Sequence, residues 1–438
     1  MGSFVPTTPS ERQQMLKTIG VGSVEELFRD VPQEMRIDGY LDLPSGKSEM
    51  ETLESVSALA EKNHVFRTCL RGAGSYRHYI PAAVKAIVNR EEFVTAYTPY
   101  QAEISQGILQ AIFEYQTMLC ELTGMDVSNA CVYDGGTAAA ESITMCRDRK
   151  RTKAYVSATT DPQVIEVMKT YCFGSDVELT VVPQKDGRTD PEALRSLLGQ
   201  DAACFYVQQP NFYGLLEEAE LLGEITHAAG AKYVMGVNPI SLAILKTPAE
   251  CGADVAVGEG QPLGLDTAFG GPYLGFMTAS SAMMRKLPGR IVGQTVDTEG
   301  KIGYVLTLSA REQHIRREKA SSNICSNEQL CAFTAAVYLS AMGEKGLRQA
   351  ATLCTSKAHY FAQQLEEKLG WKRVHPGEFF HEFVTECPDT EKALATLAKR
   401  DILGGLPVEG GILWCVTEVV TKERLDEAVA ILQEVSCG

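Results

Sequence analysis

Asp134-Gly135-Gly136-Thr137 is a place where this chain could hold a ligand with its backbone. A glycine turn feeding a helix N-terminus presents free N–H groups and the positive end of the helix dipole to a phosphate. Asp134 at that spot is also a natural helix cap, with Glu141 deeper in the first turns, so capping and phosphate binding by Asp134 and Thr137 both stand. Upstream, Tyr97-Thr98-Pro99-Tyr100-Gln101-Ala102-Glu103 gathers two phenols, an amide and a carboxylate around a proline that fixes the chain and restricts Thr98. That density of hydrogen-bonding groups on a stiff turn suits a binding site. The plainer reading is a helix entrance with Glu103 set against the dipole.

Arg311 to Lys319 holds Arg311, His314, Arg316, Arg317 and Lys319, and a Ser/Asn run including Asn323 follows it. Such a stretch is either a solvated helix face or, at the junction with the adaptable Ser and Asn side chains, a site for a carboxylate or phosphate. His78, within Ser75-Tyr76-Arg77-His78-Tyr79, is a candidate base or a structural hydrogen bonder. Gly258-Glu259-Gly260-Gln261 and Phe269-Gly270-Gly271-Pro272-Tyr273-Leu274-Gly275 make a glycine-rich loop. Its third glycine is displaced to Gly264 and it opens no helix after a first strand, so it is not a dinucleotide fingerprint.

These residues need a scaffold. From Asn129 onward, short β-branched runs alternate with amphipathic ones, the pattern of strand–helix–strand units around a parallel sheet. Strands are predicted at Ala130 to Tyr133, Ala154 to Ser157, Glu178 to Val182, Cys204 to Gln208, Tyr233 to Val237, Val255 to Val257 and Tyr273 to Met277. Helices fall at Thr137 to Arg147, Pro162 to Tyr171, Pro191 to Leu198 and Glu218 to Ala229. Ile104, Ile108, Ile112, Tyr115, Leu119 and Leu122 form one stripe, predicting a helix over Glu103 to Thr123 closed by Gly124. The expected organisation is a polar helical arm over residues 1–90, with helices near Val24 to Phe28 and Glu54 to Lys62, and a large doubly wound domain over 91–325. A small α+β domain over 326–438 completes it, with apolar runs Phe379 to Val384 and Ile412 to Thr417.

Composition bounds the function. Across 438 residues, 41 Lys and Arg face 56 Asp and Glu, a formal charge of −15 that repels phosphate backbones and anionic lipid, so neither nucleic acid nor membrane is an expected partner. The N-terminus has no apolar signal core and no stretch reads as a membrane span, so a cytoplasmic location is expected. Thirteen cysteines without a C-x2-C pair, and seven unpaired histidines, predict reduced core thiols and no metal centre.

Four segments in order, TAYTPYQAEISQGILQAIFEYQTMLCELTGMD, NACVYDGGTAAAES, GEGQPLGLDTAFGGPYLGF and IRREKASSNICSNEQL, together resemble the glycine decarboxylase (glycine cleavage system P-protein) family. The length is similar to that of subunit 1, the alpha chain, of its two-subunit bacterial form. The resemblance implies an α/β fold of the pyridoxal-phosphate (PLP) fold-type I class, with a mainly parallel seven-stranded sheet. It implies an oxidoreductase subunit for glycine decarboxylation, in which PLP is the electron sink and the aminomethyl group passes to the lipoyl arm of the H-protein.

The family pattern needs a Schiff-base lysine and a pyridine-facing aspartate. Alignment on Gly270-Gly271-Pro272 puts Gln261 at the lysine position and Asn238 at the aspartate position. An amide forms no imine, and a neutral carboxamide does not hold the pyridinium proton. The resemblance therefore implies that PLP sits on a separate beta subunit, in an expected α2β2 assembly, and that this chain binds no PLP covalently. Tyr97, Thr98, Tyr100, Gln101, Glu103, Arg316 and Asn323 are then candidates to line or support a shared glycine site, with Arg71, Tyr76 and His78 as further candidates near a lipoyl channel. Two rival readings are a free-standing PLP enzyme, a desulfurase or aminotransferase, and a non-catalytic structural or regulatory subunit.

Overall fold

The computed structural model describes residues 6–37, 39, 41–320, 322–324 and 328–436, so the 325/326 boundary and part of the Ser/Asn run lie outside the described residues. The chain forms two compact units, Met1–Val65 and Phe66–Gly438. In the first, helices Pro9–Ile19 and Glu49–Ala60 each open with a capping box, Thr8 with Glu11 and Ser48 with Glu51. The second box explains why that helix starts before Glu54. Neither helix buries a residue, and Met15, Ile19, Leu53, Val56 and Leu59 stay exposed.

Residues 66–90, grouped with the arm on sequence, belong to the larger unit. Thr68–Cys69 pairs in parallel with Ile402–Leu403, and Ala82–Val88 is a helix whose Val84 is fully buried. The central sheet has seven strands: β1 Val127–Ser128, β2 Lys153–Ser157, β3 Leu179–Val182, β4 Ala202–Gln209, β5 Lys232–Val237, β6 Val255–Glu259 and β7 Gly275–Ala279. Their order is β1-β7-β6-β5-β4-β2-β3, and β7 alone runs antiparallel to both neighbours. The first strand was expected at Ala130 to Tyr133. Ala130 instead donates its N–H to Arg290 O at 2.7 Å, which leaves Val127–Ser128 paired with β7 and a single bridge at Val132–Gly275.

Helices α1 Gln106–Thr123, α2 Gly135–Cys146 and α3 Pro162–Gly174 match the apolar periodicity, and Gly124 closes α1 at φ 70°. The expected start of α1 at Glu103 is corrected to Gln106, because Ala102–Ile104 forms one 3-10 turn and leaves Ile104 81% exposed. A hairpin that the sequence pattern did not reveal, β8 Ile291–Val296 with β9 Ile302–Thr307, lies along α1. Two glutamines attach it. Gln116 donates to Val292 O at 3.0 Å and accepts from its N–H at 2.9 Å, and Gln106 does the same with Tyr304 at 2.8 Å in both directions. Each side-chain amide thereby imitates a strand partner.

The long helix α4, Gln329–Leu369, is kinked at Gly343 and serves two cores. Cys331, Ala335 and Tyr338 join the cluster under the large sheet, whereas Ala358, Phe361 and Leu365 join the C-terminal cluster. There α4 packs beside the antiparallel sheet β10 Glu382–Thr385, β11 Leu406–Val408 and β12 Gly411–Cys415, with helices Thr390–Lys399 and Lys422–Ser436. Both tryptophans, Trp371 and Trp414, lie in this cluster. Trp414 is fully buried edge-on to Phe361, and its Nε1–H donates to Thr385 Oγ1 at 2.9 Å. Removing so much buried ring area costs about 3–5 kcal/mol. Trp414→Ala is expected to lower urea-unfolding stability by about that amount, followed by far-ultraviolet circular dichroism. A loss below about 1 kcal/mol would place the C-terminal core elsewhere.

Candidate functional site

A cavity of about 640 Å3 opens at the carboxyl ends of β4, β5 and β6, the place where an open α/β sheet receives its ligands. Tyr206 and Gln208 from β4, Gly236 and Val237 from β5, and Gly258 and Glu259 from β6 form its floor. Asp134 to Gly136 and Asp161 contribute the starts of α2 and α3, while Gly74 to Tyr76, His381 and Glu382 close the other side. Of the sequence candidates, Tyr76, Asp134 and Asn238 meet here, and Thr137 lies buried one turn behind.

At the start of α2 the structure favours capping. Asp134 Oδ1 accepts from Thr137 N–H at 2.7 Å, and Glu259 Oε2 accepts from Gly135 N–H at 2.9 Å. Glu259 Oε1 also accepts from Gln261 N–H at 2.8 Å and Leu274 N–H at 3.1 Å. Two of the donors that a phosphate would use, on Gly135 and Thr137, are thus already satisfied by carboxylates of the chain. Gly135 permits the approach, since a Cβ there would lie 2.9 Å from Glu259 N. Burial nevertheless outweighs the three hydrogen bonds to Glu259 and pushes its carboxyl up to about 7.

Gln261, 1% exposed, is fully engaged. Its Oε1 accepts from Tyr76 N–H at 2.9 Å, and its Nε2 donates to Tyr76 O at 2.9 Å and Leu265 O at 2.8 Å. Asn238 Oδ1 accepts from Ile240 N–H at 2.9 Å, and its Nδ2 stands 3.5 Å from His381 Nε2. Glu382 accepts from Ala73 N–H at 2.7 Å and Tyr76 O–H at 2.8 Å; burial raises it to about 7. Asp161 is raised by burial too, and burial drives His381 down to about 3, so that imidazole is neutral.

PLP does not fit this cavity. No lysine or arginine lines it, and Asp134, Asp161, Glu259 and Glu382 would face the phosphate dianion. The lysines nearest in sequence are committed elsewhere: Lys232 pairs with Asp254 at 2.7 Å, Lys246 with Glu220 at 2.7 Å, and Lys286 donates to Arg147 O at 3.3 Å. The pairing for a free-standing PLP enzyme is absent.

The other candidates lie apart from the cavity lining. Tyr97 is 82% and Tyr100 66% exposed, Gln101 and Glu103 are exposed, and Thr98 Oγ1 accepts from Arg290 at 3.3 Å. Arg290 also sits 5.9 Å from the Tyr100 ring centre. Arg316 and Asn323 are exposed, and among the described residues no hydrogen bond or ion pair joins them to the Tyr97–Glu103 turn. The basic stretch is a series of single turns rather than one helix, and Arg311 turns inward to Gly289 O at 2.6 Å. Arg71 is structural, donating to Gly404 O at 3.1 Å and Gly405 O at 2.9 Å. His78 is corrected from candidate base to buried anchor, its Nδ1 2.7 Å from Glu418 Oε2.

Sequence reasoning missed Asp161, Tyr206, Glu259, His381 and Glu382. Asp161 before Pro162 is a recognisable cap, and His381-Glu382 interrupts an apolar strand run, so two signals were present. Tyr206 carries none, because a tyrosine in a strand reads as core.

The raised carboxyls of Glu259, Glu382 and Asp161 make stability depend on pH. The folded Glu382 carboxyl binds its proton near 7 against an ordinary 4.5, so its contribution is complete below the lower value and is lost as pH rises through the higher. Glu382→Gln keeps an acceptor for Ala73 and removes the titration. Its stability relative to the parent is expected to improve by on the order of 1–3 kcal/mol between about pH 5 and about pH 8, measured by urea unfolding. A difference independent of pH would mean that Glu382 ionises normally.

Comparison with known proteins agrees with this geometry. The family model described as "Glycine cleavage system P-protein" matches residues 2–432. The chain is 47% identical over 444 residues to "Probable glycine dehydrogenase (decarboxylating) subunit 1" of Desulfitobacterium hafniense, covering 99% of this chain and 100% of that one. A crystal structure of glycine decarboxylase (P-protein) of the glycine cleavage system, in inhibitor-bound form, superposes with a TM-score of 0.91 at 41% identity, over 99% of this chain and 100% of that one. At 13% identity, a sphingosine-1-phosphate lyase from Burkholderia pseudomallei shares the fold, with a TM-score of 0.66 over 92% of this chain and 94% of that one. The architecture is that of PLP-dependent fold-type I enzymes, and the chain belongs to the glycine cleavage system P-protein family.

Proposed function

We propose that this chain is the alpha subunit of a glycine dehydrogenase (decarboxylating), the oxidoreductase of a glycine cleavage system, and that it works only with a beta subunit carrying PLP. The observation that carries the reading is the cavity itself. It lies at the ligand-binding edge of a PLP-enzyme fold, yet Gln261 is locked to Tyr76, Asn238 to Ile240, and no cation lines it. A second chain then supplies the lysine and coenzyme, in an α2β2 complex in the cytoplasm. The complex decarboxylates glycine and hands the aminomethyl group to the lipoyl arm of the H-protein.

The exposed turn Tyr97 to Glu103 supports a shared site. Tyr97, Gln101 and Glu103 make no side-chain hydrogen bond among the described residues, which leaves a phenol, an amide and a carboxylate free to face a partner. Arg316 and Asn323 add a guanidinium and an amide, and Ile104 adds 81% exposed apolar surface beside the turn. The arm, whose helices bury nothing of their own, is suited to gaining its apolar contacts from another chain. Within the larger unit, residues 91–325 form the sheet domain and 326–438 the small domain in this reading.

Co-expression with the second chain tests it. PLP absorbance is expected only in preparations that contain the partner, and glycine–CO2 exchange only when both chains are present. Tyr97→Phe and Glu103→Gln are expected to reduce exchange by about tenfold or more while PLP content stays constant. Full exchange in both variants would favour a structural or regulatory subunit. PLP bound to the isolated chain, and abolished by one Lys→Ala change, would overturn the assignment.

A further inference from the structure

The cavity that does not fit PLP has a chemical preference of its own. It presents Asp134, Asp161, Glu259 and Glu382, a neutral His381 and no cationic side chain. Three of the carboxylates are largely committed to the chain: Asp134 caps α2, Glu259 accepts three backbone N–H groups, and Glu382 holds Ala73 and Tyr76. Asp161 caps α3 in a similar way. It is 7% exposed, its carboxylate accepts from Gln163 N–H at 2.8 Å and from Val164 N–H, and its own N–H donates to Gln208 Oε1 at 2.9 Å. Among the described residues no side chain donates to it.

Beside it, Tyr206 is 4% exposed and its hydroxyl makes no hydrogen bond to any described residue. The hydroxyl lies against the cavity floor, since a Cβ on Gly236 would fall 1.9 Å from it. A phenol so buried ordinarily finds a partner, and one left open at a cavity wall is placed to serve a ligand. Burial, and after it the nearby Asp161 carboxylate, oppose its ionisation, so it stays a neutral hydroxyl that can accept from a ligand N–H.

The shape of the acidic lining excludes a simple metal site. Among the described residues the metal-ligating grouping is His78, Cys354 and Glu418, away from this lining, so the cavity carboxylates do not converge on one point. They are spread around a space that Val164, Val167, Pro210, Pro262 and Phe269 also line. At about 640 Å3 it has room for a small molecule rather than a bare ion.

We propose that this cavity binds a small organic ammonium, a primary amine with an apolar body, whose N–H groups are held by Asp161 and Tyr206. The tyrosine faces and the flanking carboxylates favour the cation, while the valines, prolines and Phe269 take the body. The site is separate from the Tyr97 to Glu103 turn and does not depend on the decarboxylase reading. An anionic ligand of the same size is opposed by the acidic lining, and a neutral one gains no charge attraction from it.

Calorimetric titration of the full chain with benzylamine, benzyl alcohol, benzoate and PLP tests this. Benzylamine is expected to bind at least about tenfold more tightly than benzyl alcohol, with no binding of benzoate or PLP. Asp161→Asn retains the cap on α3 and is expected to weaken benzylamine about tenfold or more, and Tyr206→Phe about threefold or more. Both variants are checked against the parent's thermal melt, and the ligand series on the unaltered chain stands if either fails to fold. Equal affinity for amine and alcohol overturns the proposal. So does the absence of amine binding at millimolar concentration, tighter binding of benzoate or PLP, or full benzylamine affinity in a folded Asp161→Asn.

Discussion

One buried carboxylate ties the centre of this molecule together. Glu259 ends β6 and accepts N–H groups from Gly135 at the start of α2, from Gln261 in its own loop and from Leu274 leading into β7. Without it, three buried donors from three segments would lose their partner, each at a cost of about 1–3 kcal/mol. Ionised, the same group loses the hydration that water gave it, and that loss wins, since the carboxyl settles near 7 despite its donors. The junction is therefore most secure with the carboxyl protonated and weakens as pH rises through about 7.

A second polar chain runs outward from this junction. Gln261 binds both main-chain groups of Tyr76, and the Tyr76 hydroxyl donates to Glu382 on the small sheet. Glu382 in turn receives Ala73 N–H. Residues 73–76 are thus clamped between the large sheet and the small one by Gln261 and Glu382. Gln261 is better described as a structural strut than as the absence of a lysine. Its hydrogen bonds need both a donor and an acceptor, and an ammonium group offers only donors.

Much of the fold could be read from the chain because its apolar runs carry period and length. The parallel strands from Ala154 to Val257 and the helices at Pro162, Pro191 and Glu218 were recoverable within a few residues. What escaped was what depends on distant partners. Ala130 looks like strand and leaves the ladder for Arg290; Ile291–Val296, given no element on sequence, pairs with Ile302–Thr307, and Gln116 and Gln106 tie that hairpin to α1. Of the site, the cap at Asp134 was legible. The site was not legible in Tyr206, whose place in the cavity no local pattern encodes.

A helix N-terminus is a fixed source of positive potential, and a fold that retains one without a bound phosphate must still neutralise it. Here Asp134 and Glu259 do so from within the chain, so the sheet keeps its shape without a dianion. Having supplied those carboxylates, the cavity is hostile to the phosphate that the fold elsewhere accommodates, and the two states exclude each other. Gly135 keeps the helix close enough to Glu259 for this, and any side chain there would push the carboxylate out. The carboxylates that satisfy the start of α2 are thus the same groups that oppose a phosphate in this cavity.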